Sequence, residues 1–222
     1  MIHILREPFK YESKKAGWID IHGAALQYRN RGILITGRKE SGKTTLLTYF
    51  LRKGASYVSN DSSRLEIKNP VLLLHAWPHY LRLGYDFIQE NDNLKYYIEN
   101  EGKDTAEDGK YLFTSKEIEK LYGIKSLEHC ILDYIIVPEI KIGLNTMHVH
   151  EMDTTSTAKN IIEIYRNNYR INLFSDNAYK EFDNISKETL QLFINMLPKC
   201  FYVEYGTLYN GDIIEEIWKY LE

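Results

Sequence analysis

The sequence predicts an α/β fold: a mixed sheet with a phosphate-binding loop set between a strand and a helix. Three observations carry this. Gly37-Arg38-Lys39-Glu40-Ser41-Gly42-Lys43-Thr44 fills every required position of the pattern Gly, four free positions, Gly, Lys, then Ser or Thr. The apolar run Ile33-Leu34-Ile35 feeds it as a buried strand, and Leu46, Leu47, Phe50 and Leu51 follow at helical spacing. After that helix, several short strand-like runs succeed one another, which suits a mixed sheet better than a plain βαβ alternation.

The elements follow in order. Residues 18–28 alternate apolar and polar side chains as one strand or hairpin arm, and Asn30-Arg31-Gly32 turns the chain into the strand 33–35. Gly54 closes the first helix, and Tyr57-Val58-Ser59 is a short strand ending at Asn60-Asp61. Residues 64–68 and 71–74 read as strands separated by Asn69-Pro70. Residues 89–110 hold Glu90, Asp92, Glu99, Glu101, Asp104, Glu107 and Asp108 against Lys95, Lys103 and Lys110, with Gly102 and Gly109 as breakers. That composition predicts an exposed, mobile acidic excursion, solvated by default, with a lid or docking element as the alternative. Residues 131–137 and 147–150 read as strands. Residues 159–168 carry Ile161, Ile162, Ile164 and Tyr165 at helical spacing. Ser186 caps a helix whose Leu190, Phe193, Ile194 and Leu197 share a face, with Pro198 ending it. Phe201-Tyr202-Val203 is a strand. Asp212 with Glu215 opens a final helix in the manner of a capping box, with Ile213, Ile217, Trp218 and Leu221 facing in. One domain over residues 1–222 accounts for all of this.

The loop brings chemistry with it. Its glycines let successive N–H groups turn toward one centre, and the helix beginning near Lys43 points its positive end there. Residues Gly37, Arg38, Lys39, Glu40, Ser41, Gly42, Lys43, Thr44 and Thr45 are therefore the expected nucleotide-binding set. Lys43 would reach the β- and γ-phosphates of ATP or another nucleoside triphosphate, and the Thr44 hydroxyl would hold Mg²⁺.

Composition narrows the partners. The 222 residues carry a net charge of −3, which lacks the basic face of a nucleic-acid binder. The 18 tyrosines are scattered and form no stacking platform. The first residues have no long apolar core of a signal peptide, and no apolar run reaches the length of a membrane span. Cys130 and Cys200 lack metal-type spacing and read as reduced, structural thiols, so a cytoplasmic location is expected.

Other residues are candidates for the site. Asp61, at a strand end, could hold Mg²⁺ or take a proton from an acceptor hydroxyl, or could merely form the turn Asn60-Asp61-Ser62-Ser63. His22, before Gly23, can face the terminal phosphate if its strand neighbours the loop strand, and is otherwise a structural strand histidine. His148 and His150 share a strand face, but a metal site there needs a third ligand from Glu151 or Asp153. Arg82 is either a phosphate or substrate clamp or a surface strand residue.

Three separated stretches resemble the catalytic domain of HPr kinase/phosphorylase. They are Ile21-His22-Gly23 with Gly32-Ile33-Leu34-Ile35-Thr36-Gly37, then residues 54–61, then Ile161-Ile162-Glu163-Ile164, Asn168-Tyr169-Arg170, Asn177-Ala178 and Glu181-Phe182. Residues 70–150 match poorly. The resemblance implies a fold related to phosphoenolpyruvate carboxykinase and ATP- and Mg²⁺-dependent phosphorylation of a serine hydroxyl on a protein or peptide. It implies His22, Lys43, Thr44 and Asp61 as site residues. The sequence departs from the family where Asn60 stands in place of the aspartate that acts as general base, and residues 154–157 lack its Pro-Gly-Arg-Asn arginine. Its Glu-Ile-Arg-Gly segment has no counterpart. A divergent relative of the peptide-modifying type fits these departures. The expected partner is a peptide or protein bearing a Ser or Thr hydroxyl, with a homo-oligomer left open. Two alternatives from other classes stand beside the kinase: a nucleotide-binding regulatory protein and a simple ATPase.

Overall fold

The computed structural model describes residues 12–13, 15–77, 79–153, 156–157 and 187–222, with the backbone alone at 187–190. The helix expected at 159–168, the Ser186 cap, the Leu190 side chain, Thr154 and Thr155 and the family-like stretches from Ile161 to Phe182 lie outside them.

The protein is α/β, with a nine-stranded mixed sheet. Strands β1 (Ile19–Ile21), β2 (Gly23–Tyr28), β3 (Arg31–Thr36), β4 (Ser56–Ser59), β5 (Ser63–Lys68), β6 (Val71–His75) and β9 (His129–Lys141) lie in the order β1-β5-β6-β9-β3-β2-β4. The long strand β9 organises this. It pairs antiparallel with β6 at its start, parallel with β3 along its middle, and parallel with β11 (Lys199–Gly206) along its second half. Strand β10 (Met147–Met152) closes that edge against β11. A separate hairpin joins β7 (Leu81–Leu83) to β8 (Tyr111–Phe113).

The central strands are buried on both faces, as their near-continuous apolar runs require. Side chains alternate between two cores. Ala24, Leu26, Ile33, Ile35 and Ile136 face α1 (Lys43–Arg52) and α6 (Ile213–Leu221), while Ala25, Leu34, Ile135 and Cys130 face the other side with Phe193 of α5 (Lys187–Met196). Cys130 and Cys200 are free and buried, and burial pushes their thiols up to about 12 and about 11. No helix among the described residues is long and apolar enough to cross a membrane.

Three expectations need correction. The arm at 18–28 is two strands, broken at His22, because β1 pairs with β5 and β2 pairs with β3 and β4. The 89–110 stretch is not a solvated loop throughout. It follows α2 (Tyr85–Gln89) and contains α3 (Asp92–Glu101). Leu94, Tyr97 and Ile98 form an i, i+3, i+4 face that packs with Ile88, Phe113 and Ile118 of α4 (Ser115–Tyr122), while the acids point outward. Charges are partly tied down: Lys103, largely buried, binds Glu117, and at the surface Lys120 binds Glu101. In α6, Ile214 takes the inward position with Ile217, Trp218 and Leu221, and Ile213 is half-buried. Asp212 caps that helix, accepting from the N–H groups of Ile214 and Glu215, which fixes the 214/217/218/221 face as the core stripe.

Candidate phosphate-binding site

Strand directions explain how the candidate residues meet. Strand β2 runs antiparallel to both β3 and β4, so the start of β2 lies at the same end of the sheet as the ends of β3 and β4. His22 precedes β2, residues 37–42 follow β3, and Asp61 follows β4. Strands β9 and β11 run parallel to β3 and end on the same side. This is the carboxyl edge of the parallel strands, where α/β sheets bind ligands.

The strand ends are clamped together. Thr36 Oγ1 donates to His22 O at 2.9 Å, and Ser63 Oγ donates to Gly23 O at 3.0 Å while lying 2.6 Å from Ser59 Oγ. Gly23 is required by close approach: a Cβ there would sit 2.7 Å from Ile35 O. The clamp brings His22 Nδ1 to 3.6 Å from Asp61 Oδ1. Asp61 holds a left-handed backbone (φ 66°), which an aspartate tolerates better than most residues. Asn60 beside it is buried.

The loop 37–42 wraps the start of α1. Gly37 and Gly42 have φ of 148° and 98°, and Glu40 also lies at positive φ, the kind of backbone that lets N–H groups of a loop turn toward one centre. Gly42 is the N-cap and offers no side chain to satisfy the helix end. The first bond inside the helix runs from Leu46 N to Gly42 O, which leaves the N–H groups of Lys43, Thr44 and Thr45 without intrahelical partners. Those donors, with the helix dipole, give that end a partial positive charge.

Lys43 is 9% exposed, and its ammonium donates to Gly37 O at 3.0 Å and Arg38 O at 2.7 Å. An ammonium has three donors, so among the described residues one is left without a hydrogen-bond acceptor. Burial lowers the Lys43 pKa, with the negative charge of Asp61 pulling the other way. The first turn of α1 thus carries a partly desolvated cation as well as open N–H groups. Arg38, Lys39 and Glu40 are exposed at the loop's rim, where Lys39 lies 3.5 Å from Glu40. Ser41 Oγ is buried and has no hydrogen-bond partner among the described residues.

The remaining candidates lie apart from the loop or lead elsewhere. Arg82 binds Asp108 at 2.8 Å and so belongs to the β7–α4 appendage. His148 and His150 are exposed on β10, opposite Glu204 and Tyr202, and the described residues contain no group of three metal-type side chains. Sequence reasoning missed Tyr205 and Ile140. Both approach Gly42, but in sequence they are ordinary strand residues with nothing to single them out.

No family model matches the chain, and no curated protein matches it. Among solved structures, the HPr(Ser) kinase/phosphatase from Coxiella burnetii is similar over 90% of this chain and 88% of that one, at 13% identity and a TM-score of 0.43.

Proposed function

We propose that this chain binds a nucleoside triphosphate, ATP first, with Mg²⁺ at loop 37–44, and transfers the terminal phosphoryl group to a serine or threonine hydroxyl of a peptide or protein. One observation carries the proposal: the loop, its buried Lys43 and the His22–Asp61 pair converge at one sheet edge from three separate strand ends. The serine acceptor and its peptide or protein setting rest on the motif resemblance alone.

The roles follow from position. The open N–H groups of Lys43, Thr44 and Thr45 hold the phosphates, and the Lys43 ammonium offsets charge on them. A site offering one hydroxyl and one carboxylate, Thr44 and Asp61, fits Mg²⁺, which retains waters and is held mainly by carboxylate and phosphate oxygens. When bound there, the ion would neutralise phosphate charge. His22 orients Asp61. As the acceptor oxygen bonds to phosphorus and the bridging P–O bond breaks, the acceptor's proton passes to the Asp61 carboxylate or to solvent.

A second reading has its own observation. Asn60, buried beside Asp61, is an amide that takes no proton. A site with one carboxylate fewer suits ATP hydrolysis, or nucleotide binding as a switch. Incubation with labelled ATP and Mg²⁺, with and without candidate peptides, separates the three. Label on an acceptor supports the kinase, free phosphate alone supports the ATPase, and binding without turnover supports the regulator.

A further inference from the structure

Tyr205, on β11, is distant from the loop in sequence and reaches it in space. Its ring is 2% exposed and lies tilted against Tyr49 of α1, with centroids 6.4 Å apart. Its hydroxyl would be 2.9 Å from a Cβ built on Gly42, so it stands beside the residue that opens α1. The hydroxyl is buried and has no hydrogen-bond partner among the described residues. A buried hydroxyl without a partner gives up its hydration for nothing, and phenylalanine would fill the same space without that loss. Ser41 Oγ, 2.9 Å from a Cβ built on Gly37, is a second orphan at the same loop. Among the described residues, two unpartnered hydroxyls thus stand beside an uncapped helix end whose N–H groups are also unpaired. Burial raises the Tyr205 phenol above its ordinary pKa, so it remains a donor throughout the physiological range.

We propose that the Tyr205 hydroxyl donates to the phosphate chain held by loop 37–44, making β11 the source of a phosphate-positioning group that the loop motif does not contain. This rests on the phosphate-binding role of the loop. Ile140 supports the contact from β9, its side chain lying 2.6 Å from the same built Cβ of Gly42, so that no room exists there except for glycine. Tyr205 therefore meets the loop where Gly42 packs against β9 and β11.

The test is calorimetric binding of Mg-ATP and of Mg-pyrophosphate, with thermal unfolding of the free protein, for wild type, Tyr205→Phe and Lys43→Ala. Tyr205→Phe should weaken both ligands by about tenfold, the scale of one hydrogen bond to a charged group. Its free-state melting temperature should stay level or rise, because an orphan hydroxyl has gone. In turnover, KM should rise more than kcat falls. Wild-type affinity in Tyr205→Phe, alongside weakened binding in Lys43→Ala, overturns the Tyr205 contact and leaves the loop's role intact. A loss with ATP but not with pyrophosphate overturns it too, since the contact would not be to phosphate. A parallel fall in melting temperature and affinity marks a packing residue only. Wild type that binds neither probe overturns the contact together with the loop's role.

Discussion

Substituting Gly42 with alanine tests the packing of the loop most directly. The new methyl would lie 2.6 Å from Ile140 Cδ1 and Cγ1 and 2.9 Å from Tyr205 Oη, at a φ of 98°. Left-handed backbone costs a residue with a Cβ roughly 1–2 kcal/mol. Forcing a methyl into a filled space costs roughly 1–3 kcal/mol more. Loss of glycine's freedom in the unfolded chain returns roughly 0.4–1 kcal/mol. The net expectation is a destabilisation of about 2–4 kcal/mol, or about 4–16 °C in melting temperature for a chain of this size. Gly54→Ala supplies the comparison. Gly54 also has positive φ, 84°, but nothing lies within 4 Å of its built Cβ, so it pays only the backbone cost. Thermal unfolding of both variants isolates the packing cost, and Mg-ATP binding shows whether the displaced loop still gathers its N–H groups. The reasoning fails if Gly42→Ala melts within about 1–2 °C of Gly54→Ala, because the backbone cost is common to both and a packing cost of roughly 1–3 kcal/mol should separate them by at least about 2 °C.

Lys43→Met should abolish nucleotide-dependent turnover while the protein stays folded, and unchanged turnover would remove the loop from the mechanism. Because burial lowers the Lys43 pKa, the folded state gives up that proton before the unfolded state does. Wild-type stability relative to Lys43→Met should therefore rise with pH as it passes from the lowered value toward the ordinary 10.5, as read from urea unfolding at several pH values. Asp61→Asn should slow phosphoryl transfer at least ~100-fold. Rescue by added Mg²⁺ would identify a metal ligand and rescue by higher pH a base, whereas full activity would exclude both roles. The appendage should loosen in acid. Burial alone would raise the Glu117 carboxyl, but Lys103 and the Thr114 backbone and hydroxyl outweigh it and hold the pKa at about 2, below its ordinary 4.5. That stability is present above 4.5 and lost as pH falls toward 2, on the order of 3 kcal/mol at most. Hydrogen exchange across α3 and α4 should accelerate over that window, and Lys103→Met should blunt the change.

What the sequence shows best is what local rules govern. The strand 33–35, the loop pattern and the helix after it are contiguous, so period and glycine spacing suffice to read them. The helix opened by Asp212 is equally legible, because a cap and an apolar stripe are both local signals, although the stripe settles one residue from where Ile213 would put it. The acidic stretch misleads for a physical reason. Charge excess describes the outer face of α3, whereas its inner face rests on only Leu94, Tyr97 and Ile98, whose partners Phe113 and Ile118 come later in the chain.

By itself, then, the sequence determined a phosphate-loop signature with its flanking strand and helix, and it nominated His22, Lys43, Thr44 and Asp61. It could not determine that they converge. That depends on strand direction: β2 runs against both of its neighbours, and so delivers His22 to the edge where β3 releases the loop and β4 releases Asp61. Nor could it find Tyr205, which stands out by a hydroxyl left without a partner among the described residues, beside Gly42. A tyrosine in a strand carries no local mark of what lies across from it. Only the parallel pairing of β11 with β9, and of β9 with β3, carries it to the loop.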